Sequence, residues 1–338
     1  MTTPSKQPVT TVRLQRMVRA YRESAGLMAA VELGVFTQVA RGADTEEALI
    51  AALGIDPVQA ERIIVACIAL DLMRRDGDRL VLTPDVERYL VEGEPGYAGT
   101  WMLFTKPDWD GWGRLSDRLK EPLPDRIDNP TVAGISVEEA RRYHDATASI
   151  GRGAGRLFLR QVDLTGRRLM LDLGGGSGAY CIEACRKHPD LKAIVFDLPP
   201  VAEVARDFIR DAGMEGRVEA VAGDFNRDPF PDGADVVVMA SNLPMYGRQE
   251  IRAVIAKAFA ALVPGGEMHL IGEALDENRS GPADAALWGL SEAVKGSTGL
   301  AHSVAEVEGY FREAGFTDIG RQDFVPGVLI RVGGRKPG

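Results

Sequence analysis

The stretch that most constrains this chain is Leu171-Asp-Leu-Gly-Gly-Gly-Ser-Gly-Ala-Tyr180. The apolar run Leu169-Met170-Leu171 predicts a short buried strand. It ends at Asp172, and Gly174, Gly175, Gly176 and Gly178 follow before a helix-forming segment, Ala179 to Lys187. Strand, glycine turn and helix bring bare backbone and a helix N-terminus against a nucleotide-like ligand. Two spacings coexist here. Gly174-x-Gly176-x-x-Ala179 is tolerated by a dinucleotide site, and Asp172-x-Gly174-x-Gly176-x-Gly178 overlies it. An ordinary strand-to-helix turn is the third reading that the glycines alone leave open.

Beyond the turn, strand and helix patterns alternate as a doubly wound parallel sheet requires. Ala193 to Phe196 reads as a strand ending at Asp197, Pro200 to Asp211 as a helix, and Val218 to Ala222 as a strand ending at Gly223-Asp224-Phe225. Ala234 to Met239 is a strand, Arg248 to Leu262 a helix closed by Pro264-Gly265-Gly266, and Glu267 to Gly272 a further strand. After a helix from Val304 to Ala314, residues 317–322 and 328–332 suit an antiparallel edge pair. Asp172, Asp197 and Asp224 thus close three strands on one edge. Asp197, with Leu198 beside it, is placed to accept ribose hydroxyls; Asp224 can take an adenine amino group and Phe225 can stack on the ring. An acidic rim suits the cationic sulfonium of S-adenosylmethionine (SAM) better than a pyrophosphate.

The first 95 residues read differently. Ala25 to Phe36 has helical spacing closed by Gly34, Thr45–Ala52 and Pro57–Leu70 add helices, and Leu72 to Leu82 reads as two strands around an Asp-Gly turn. Helices followed by such a wing describe a winged-helix-like module. A net charge of -9, and Glu61 and Asp71 on the would-be reading helix, argue against nucleic acid. So small a module has more apolar helical face than it can bury alone, which predicts a homodimer. No apolar run reaches bilayer length and the N-terminus has no apolar signal core, so a cytoplasmic protein without membrane contact is expected. Cys67, Cys181 and Cys185 make neither a disulfide framework nor a zinc pattern, and no metal is expected. The expected domains are residues 1–95, a helical connector at 96–160 that lines an acceptor pocket with Trp101, Phe104 and Trp109, and the ligand-binding domain at 161–338.

With these motifs in view, the chain resembles the plant-type (caffeate- and isoflavone-like) O-methyltransferase family and its bacterial branch. The resemblance rests on AAVELGVF, LDLGGGSG, VFDLPPV, VAGDFNRDPFP and ALVPGGEMHLIGE. It implies a Rossmann-like class I methyltransferase domain behind a mainly α dimerisation domain, an entwined homodimer, SAM as cofactor and a small-molecule acceptor held between domains. It also implies that Asp172 receives the methionine part of the cofactor, with Gly174, Gly176, Gly223 and Ser241 around it.

The pattern breaks where the family keeps a His-Asp-Trp run whose histidine deprotonates the acceptor. Here the chain reads Ser241-Asn-Leu-Pro-Met-Tyr246, which puts Pro244 in place of the base, and Ala301-His302-Ser303 replaces the family's Glu-Arg-Thr. A base is worth about 10² to 10⁴ in rate for a hydroxyl acceptor. The favoured expectation is therefore S-methylation of a thioether acid, as in the methylthiohydroxybutyrate S-methyltransferase of dimethylsulfoniopropionate biosynthesis. The alternatives are O- or C-methylation of an aromatic natural product with Tyr246, His144 or His302 as base, and a non-catalytic SAM-binding or cyclase-like protein. Arg142, Tyr143 and His144 are candidate carboxylate anchors; Trp101, Trp109, Tyr246 and Trp288 are candidate partners of a sulfonium.

Overall fold

The structure is a computed structural model that describes residues 9–123 and 134–338. Expectations that fall on residues 1–8 and 124–133 lie outside the described residues. Two compact units divide between Lys106 and Pro107.

The first unit holds α1 (Val12–Arg19), α2 (Tyr21–Glu32), α3 (Val35–Ala40), α4 (Glu46–Leu53), α5 (Pro57–Ala69), β1 (Met73–Asp76), β2 (Arg79–Leu82), α6 (Pro84–Leu90) and α7 (Gly99–Met102). Local chemistry sets these boundaries. Thr45 caps α4 by accepting the Ala48 N–H at 3.2 Å. Asp56 caps α5 by accepting the Val58 N–H at 2.9 Å, with Pro57 in the first helical position. The helix expected through Phe36 breaks earlier: α2 stops at Glu32, Gly34 turns the chain at φ 70°, and Val35 starts α3. β1 and β2 pair antiparallel with Asp76 opposite Arg79 across a two-residue turn, which forms the expected wing. Phe36, Leu49, Ile64, Met73 and Leu80 centre the core, and Met102 and Leu103 pack against it. The connector expected at 96–160 is therefore not one body, because its first residues complete this core.

The second unit holds α8 (Trp109–Gly113), α9 (Leu115–Arg118), α10 (Val137–Gln161), β3 (Leu169–Leu173), α11 (Ala179–Lys187), β4 (Lys192–Asp197), α12 (Pro199–Asp211), β5 (Val218–Ala222), β6 (Ala234–Ala240), α13 (Arg248–Ala261), β7 (Leu262–Gly272), α14 (Ala283–Lys295), α15 (Val304–Ala314), β8 (Thr317–Val325) and β9 (Leu329–Arg335). The sheet order is β5-β4-β3-β6-β7-β9-β8. β3 to β7 are parallel and the β9–β8 pair closes the edge antiparallel, as expected. Pro264-Gly265-Gly266 lies inside β7 instead of ending a helix, at a register irregularity against β6.

Period-2 alternation sorts the strands onto two faces. Leu171, Leu173, Val237, Met239, Met268 and Leu270 share one core with Ile251, Val254, Val307 and Phe311 of α13 and α15. Met170, Ala193, Val195, Val236, Val238 and Ile271 share the other with Phe158 of α10, Cys181 and Cys185 of α11 and Ala202 of α12. The cysteines are buried and free, and burial raises their thiol pKa values, so they act as small apolar residues. α10 begins at a capping box in which Ser136 and Glu139 satisfy each other's backbone N–H. It then runs 25 residues, about 37 Å, from the strand ends to the core beneath.

Candidate functional site

The C-terminal ends of β3, β4, β5, β6 and β7 form one rim, the place where open α/β sheets bind ligands. At its centre the glycine turn leaves β3 with Gly174 at φ 66° and Gly176 at φ 57°. A Cβ on Gly174 would stand 2.7 Å from Asn242 Nδ2, and one on Gly176 would stand 2.6 Å from His144 Cε1. The turn is thus walled by the loop after β6 on one side and by α10 on the other. Gly178 caps α11, whose N-terminus faces the turn.

Three carboxylates stand around it. Asp172 is 1% exposed, and its side-chain partner is the Cys181 thiol, whose Sγ lies 3.8 Å from Oδ2. Burial, then the charge of Asp197, raises its pKa to about 7, and the thiol offsets this only partly. Asp197 accepts the Gly176 N–H on Oδ2 at 2.8 Å and the Leu198 N–H on Oδ1 at 2.7 Å. Burial lifts its pKa to about 6 against those two bonds. Asp224 spends one oxygen on the Asn226 N–H at 2.8 Å and pairs with Arg227 at 3.3 Å, so it holds its own turn. Next to it, Asn226 Oδ1 is buried without a hydrogen-bond partner among the described residues. Phe225 is 7% exposed and packs edge-to-face on Tyr246 at 5.0 Å, so it is part of the wall and not an open stacking surface. Gly223 is where it is because any Cβ would collide with the Phe196 ring. Ser241 takes φ 62° at the end of β6, a strained position for a residue with a side chain, while its N–H donates to the Ile271 carbonyl at 2.8 Å.

These residues fit SAM. Among the described residues Asp172 is a buried carboxylate without a strong donor and Asn226 offers an orphaned acceptor, and the glycine cradle has no room for a Cβ. Asp172, Asp197, Asn226 and the turn would hold it. The sequence reading missed Asn226 and Asn242, which lie in loops without periodic signal.

Several expected roles are corrected. His302 is fully buried: its Nε2 donates to the Tyr246 carbonyl at 2.9 Å and its Nδ1 lies 3.3 Å from the Tyr310 hydroxyl. Both ring nitrogens are used and burial lowers its pKa, so it braces the loop after β6 and is neither base nor acceptor contact. Burial holds the His144 pKa near 4, so it is uncharged at neutral pH and no cationic anchor for a carboxylate. Arg142 is exposed. Burial, then the charges of Asp197 and Asp224, raises the Tyr246 phenol and makes it a poor base. Pro244 is buried in a 3-10 turn, Leu243–Met245. Trp101 and Phe104 stack on each other at 5.2 Å in the first unit. Trp109 is 37% exposed, and Trp288 carries Lys295 Nζ 5.6 Å from its ring centroid. Tyr143 is 38% exposed at the rim, and loss of solvent around its phenol, then the charges of Asp197 and Glu273, raises its pKa. Among the described residues no cluster of three or more His, Cys, Asp or Glu suits a metal, and no helix is long and apolar enough to cross a membrane.

A doubly wound sheet with a glycine turn and this acidic rim defines a Rossmann-like methyltransferase domain, and its methyl donor is SAM. Residues 126–317 match the O-methyltransferase domain and residues 15–92 match the O-methyltransferase dimerisation domain. The chain belongs to the O-methyltransferase family. It is 35% identical to the 3-hydroxy-5-methyl-1-naphthoate 3-O-methyltransferase of Streptomyces sahachiroi, over 92% of this chain and 91% of that protein. It is 30% identical to the N,N-dimethyltransferase OxyT of Streptomyces rimosus, over 94% of each. The crystal structure of human N-acetylserotonin methyltransferase in complex with SAM shares the fold, with TM-score 0.81, 24% identity, and coverage of 99% of this chain and 100% of that one.

Proposed function

We propose that this protein methylates a hydroxyl of an aromatic small molecule, a hydroxyaryl acid or phenolic polyketide, using SAM. The observation that carries this reading is the 35% identity to a hydroxynaphthoate O-methyltransferase along nearly the whole of both chains. Bound SAM supplies an electrophilic methyl group on a cationic sulfur. The chain's own part is to hold the ionised Asp172 and Asp197 against that cation and to orient the acceptor at the β6–β7 half of the rim. The thioether-acid expectation loses its supports: His144 is uncharged, Arg142 is exposed, and the relatives named above act on a naphthoate hydroxyl and on nitrogen. The test is turnover of SAM with a panel of hydroxynaphthoates, phenolic polyketides, aromatic amines and thioether acids, with the methylated product identified by mass. Methylation of a hydroxyaromatic is expected; turnover confined to thioether acids or amines would overturn the reading.

The same reading takes the protein to act as a homodimer through its first unit. α1 buries none of its own residues, and Leu14, Met17, Val18 and Tyr21 are 52%, 63%, 75% and 63% exposed at helical spacing. The match to a dimerisation domain supports this assignment. Leu14→Asp with Val18→Asp is expected to yield folded monomers in sedimentation at micromolar concentration. A variant that still sediments as a dimer would remove α1 from the interface.

A further inference from the structure

We propose that Glu273 is the general base that takes the proton of the acceptor hydroxyl. This rests on the O-transfer reading above. Pro244 has no basic atom, both His302 nitrogens are used, Tyr246 keeps its proton, and His144, with a pKa held near 4 by burial, binds a proton too weakly at pH 7, so a chain that methylates a hydroxyl needs its base elsewhere on the rim.

Glu273 is the first residue after β7. Alternation continues past the strand end: Met268, Leu270 and Ala274 lie in the core facing α13 and α15, whereas Ile271 lies in the opposite one. His269 also faces that opposite side, its ring 5.5 Å from Phe158 of α10. Glu273 therefore stands on the α10 face of the sheet, as do Asp172 and Asp197, which follow Met170 and Val195 by two residues. Strand order places β7 three strands from β4, about 14 Å along the rim. Asp172, Asp197 and Asn226 occupy the β3–β5 half, and Glu273 occupies the half left to the acceptor.

Its surroundings suit a base. Glu273 is partly buried, and burial outweighs its own backbone N–H and the charge of Lys295, which raises its pKa. Tyr143 faces it from α10 and also feels Asp197. From α14 comes Lys295, which is anchored 2.8 Å from the fully buried Glu292. Asp108 feels both members of that pair. A carboxylate moved up toward neutrality is effective at accepting a proton at pH 7. In the step, the acceptor O–H bond breaks and its proton goes to a Glu273 oxygen. The oxygen's electron pair forms the bond to the methyl carbon as the sulfur–methyl bond breaks toward sulfur. Water then carries the proton away from Glu273.

The test compares wild type with Glu273→Gln on 3-hydroxy-1-naphthoate, by single turnover at saturating SAM. The variant is expected to lose about 10² to 10⁴-fold in rate at pH 7, with calorimetric SAM affinity within about threefold. The wild-type rate should climb about tenfold per pH unit and level off once a raised carboxylate is ionised; the variant should show no such plateau below the phenol's own pKa. A nitro-substituted hydroxynaphthoate, already ionised at pH 8, should be methylated by both proteins at rates within about fivefold of each other. A variant that keeps the wild-type rate and plateau overturns the base assignment alone, as does a loss that the ionised acceptor fails to rescue. If wild type methylates neither hydroxynaphthoate nor any phenolic polyketide of the panel, the O-transfer reading fails and the assignment of Glu273 falls with it.

Discussion

Asp172→Asn is expected to make the ligand-free protein more stable at pH 8 while removing its affinity for SAM. The buried Asp172 carboxyl titrates near 7 in the folded chain, against about 3.9 when unfolded. Below about pH 4 both states hold the proton and the group contributes nothing to the pH dependence. As pH rises from about 4 to 7 the folded state retains a proton that the unfolded state has released, so stability falls by about 1.36 kcal/mol per unit. The whole loss is on the order of 4 kcal/mol, complete just above pH 7. Asparagine does not ionise and should recover much of it, less the cost of a buried amide whose neighbour is a thiol. Thermal unfolding at pH 5 and pH 8, with and without SAM, measures this. Wild type should lose several degrees between the two pH values and regain them with SAM, since a ligand of the folded state stabilises it. The variant should lose less, the remainder coming from Asp197, which titrates near 6, and it should ignore SAM. A variant less stable than wild type at pH 8 would show that the carboxylate is not strained by burial.

Gly176→Val is expected to weaken SAM binding by about 30-fold to several thousand-fold, because the free turn relaxes away from the binding geometry and SAM must restore it against two additive costs. A side chain at φ 57° is disfavoured by roughly 1–2 kcal/mol. A Cβ placed 2.6 Å from His144 Cε1 adds roughly 1–3 kcal/mol of overpacking. The two costs separate in a double variant: His144→Ala removes the collision and leaves the dihedral penalty, so Gly176→Val with His144→Ala should regain about 1–3 kcal/mol of affinity. Calorimetry on all three variants closes the cycle. Affinity within fivefold of wild type in the single valine variant would mean that the turn does not hold the cofactor.

Much of the second unit was legible in the sequence, because its strands are short apolar runs ended by Asp or Gly and their alternation leaves few arrangements. The rim acids were legible for the same reason, since each closes a strand. Burial was not legible. His302 is a titratable residue in a promising place in sequence, and only packing shows that both of its nitrogens are spent on Tyr246 and Tyr310. Glu273 is not legible inside the run Leu270-Ile-Gly-Glu-Ala-Leu275, where it reads as the tail of a buried strand. Gly34 was legible as the end of a helix, but the second helix that starts at Val35 was not, because Val35 and Phe36 continue the same apolar spacing past the turn.

The brace behind Pro244 limits what that position can become. Gly299 has no room for a Cβ beside the Pro244 carbonyl, Met245 and Glu292, and His302 holds the next carbonyl but one, that of Tyr246. A segment fitted this closely around a buried proline leaves that position no freedom to present a different side chain. A histidine placed at 244 would have to displace its own walls before it could reach the rim, so new chemistry enters this site more cheaply at residues that already face it.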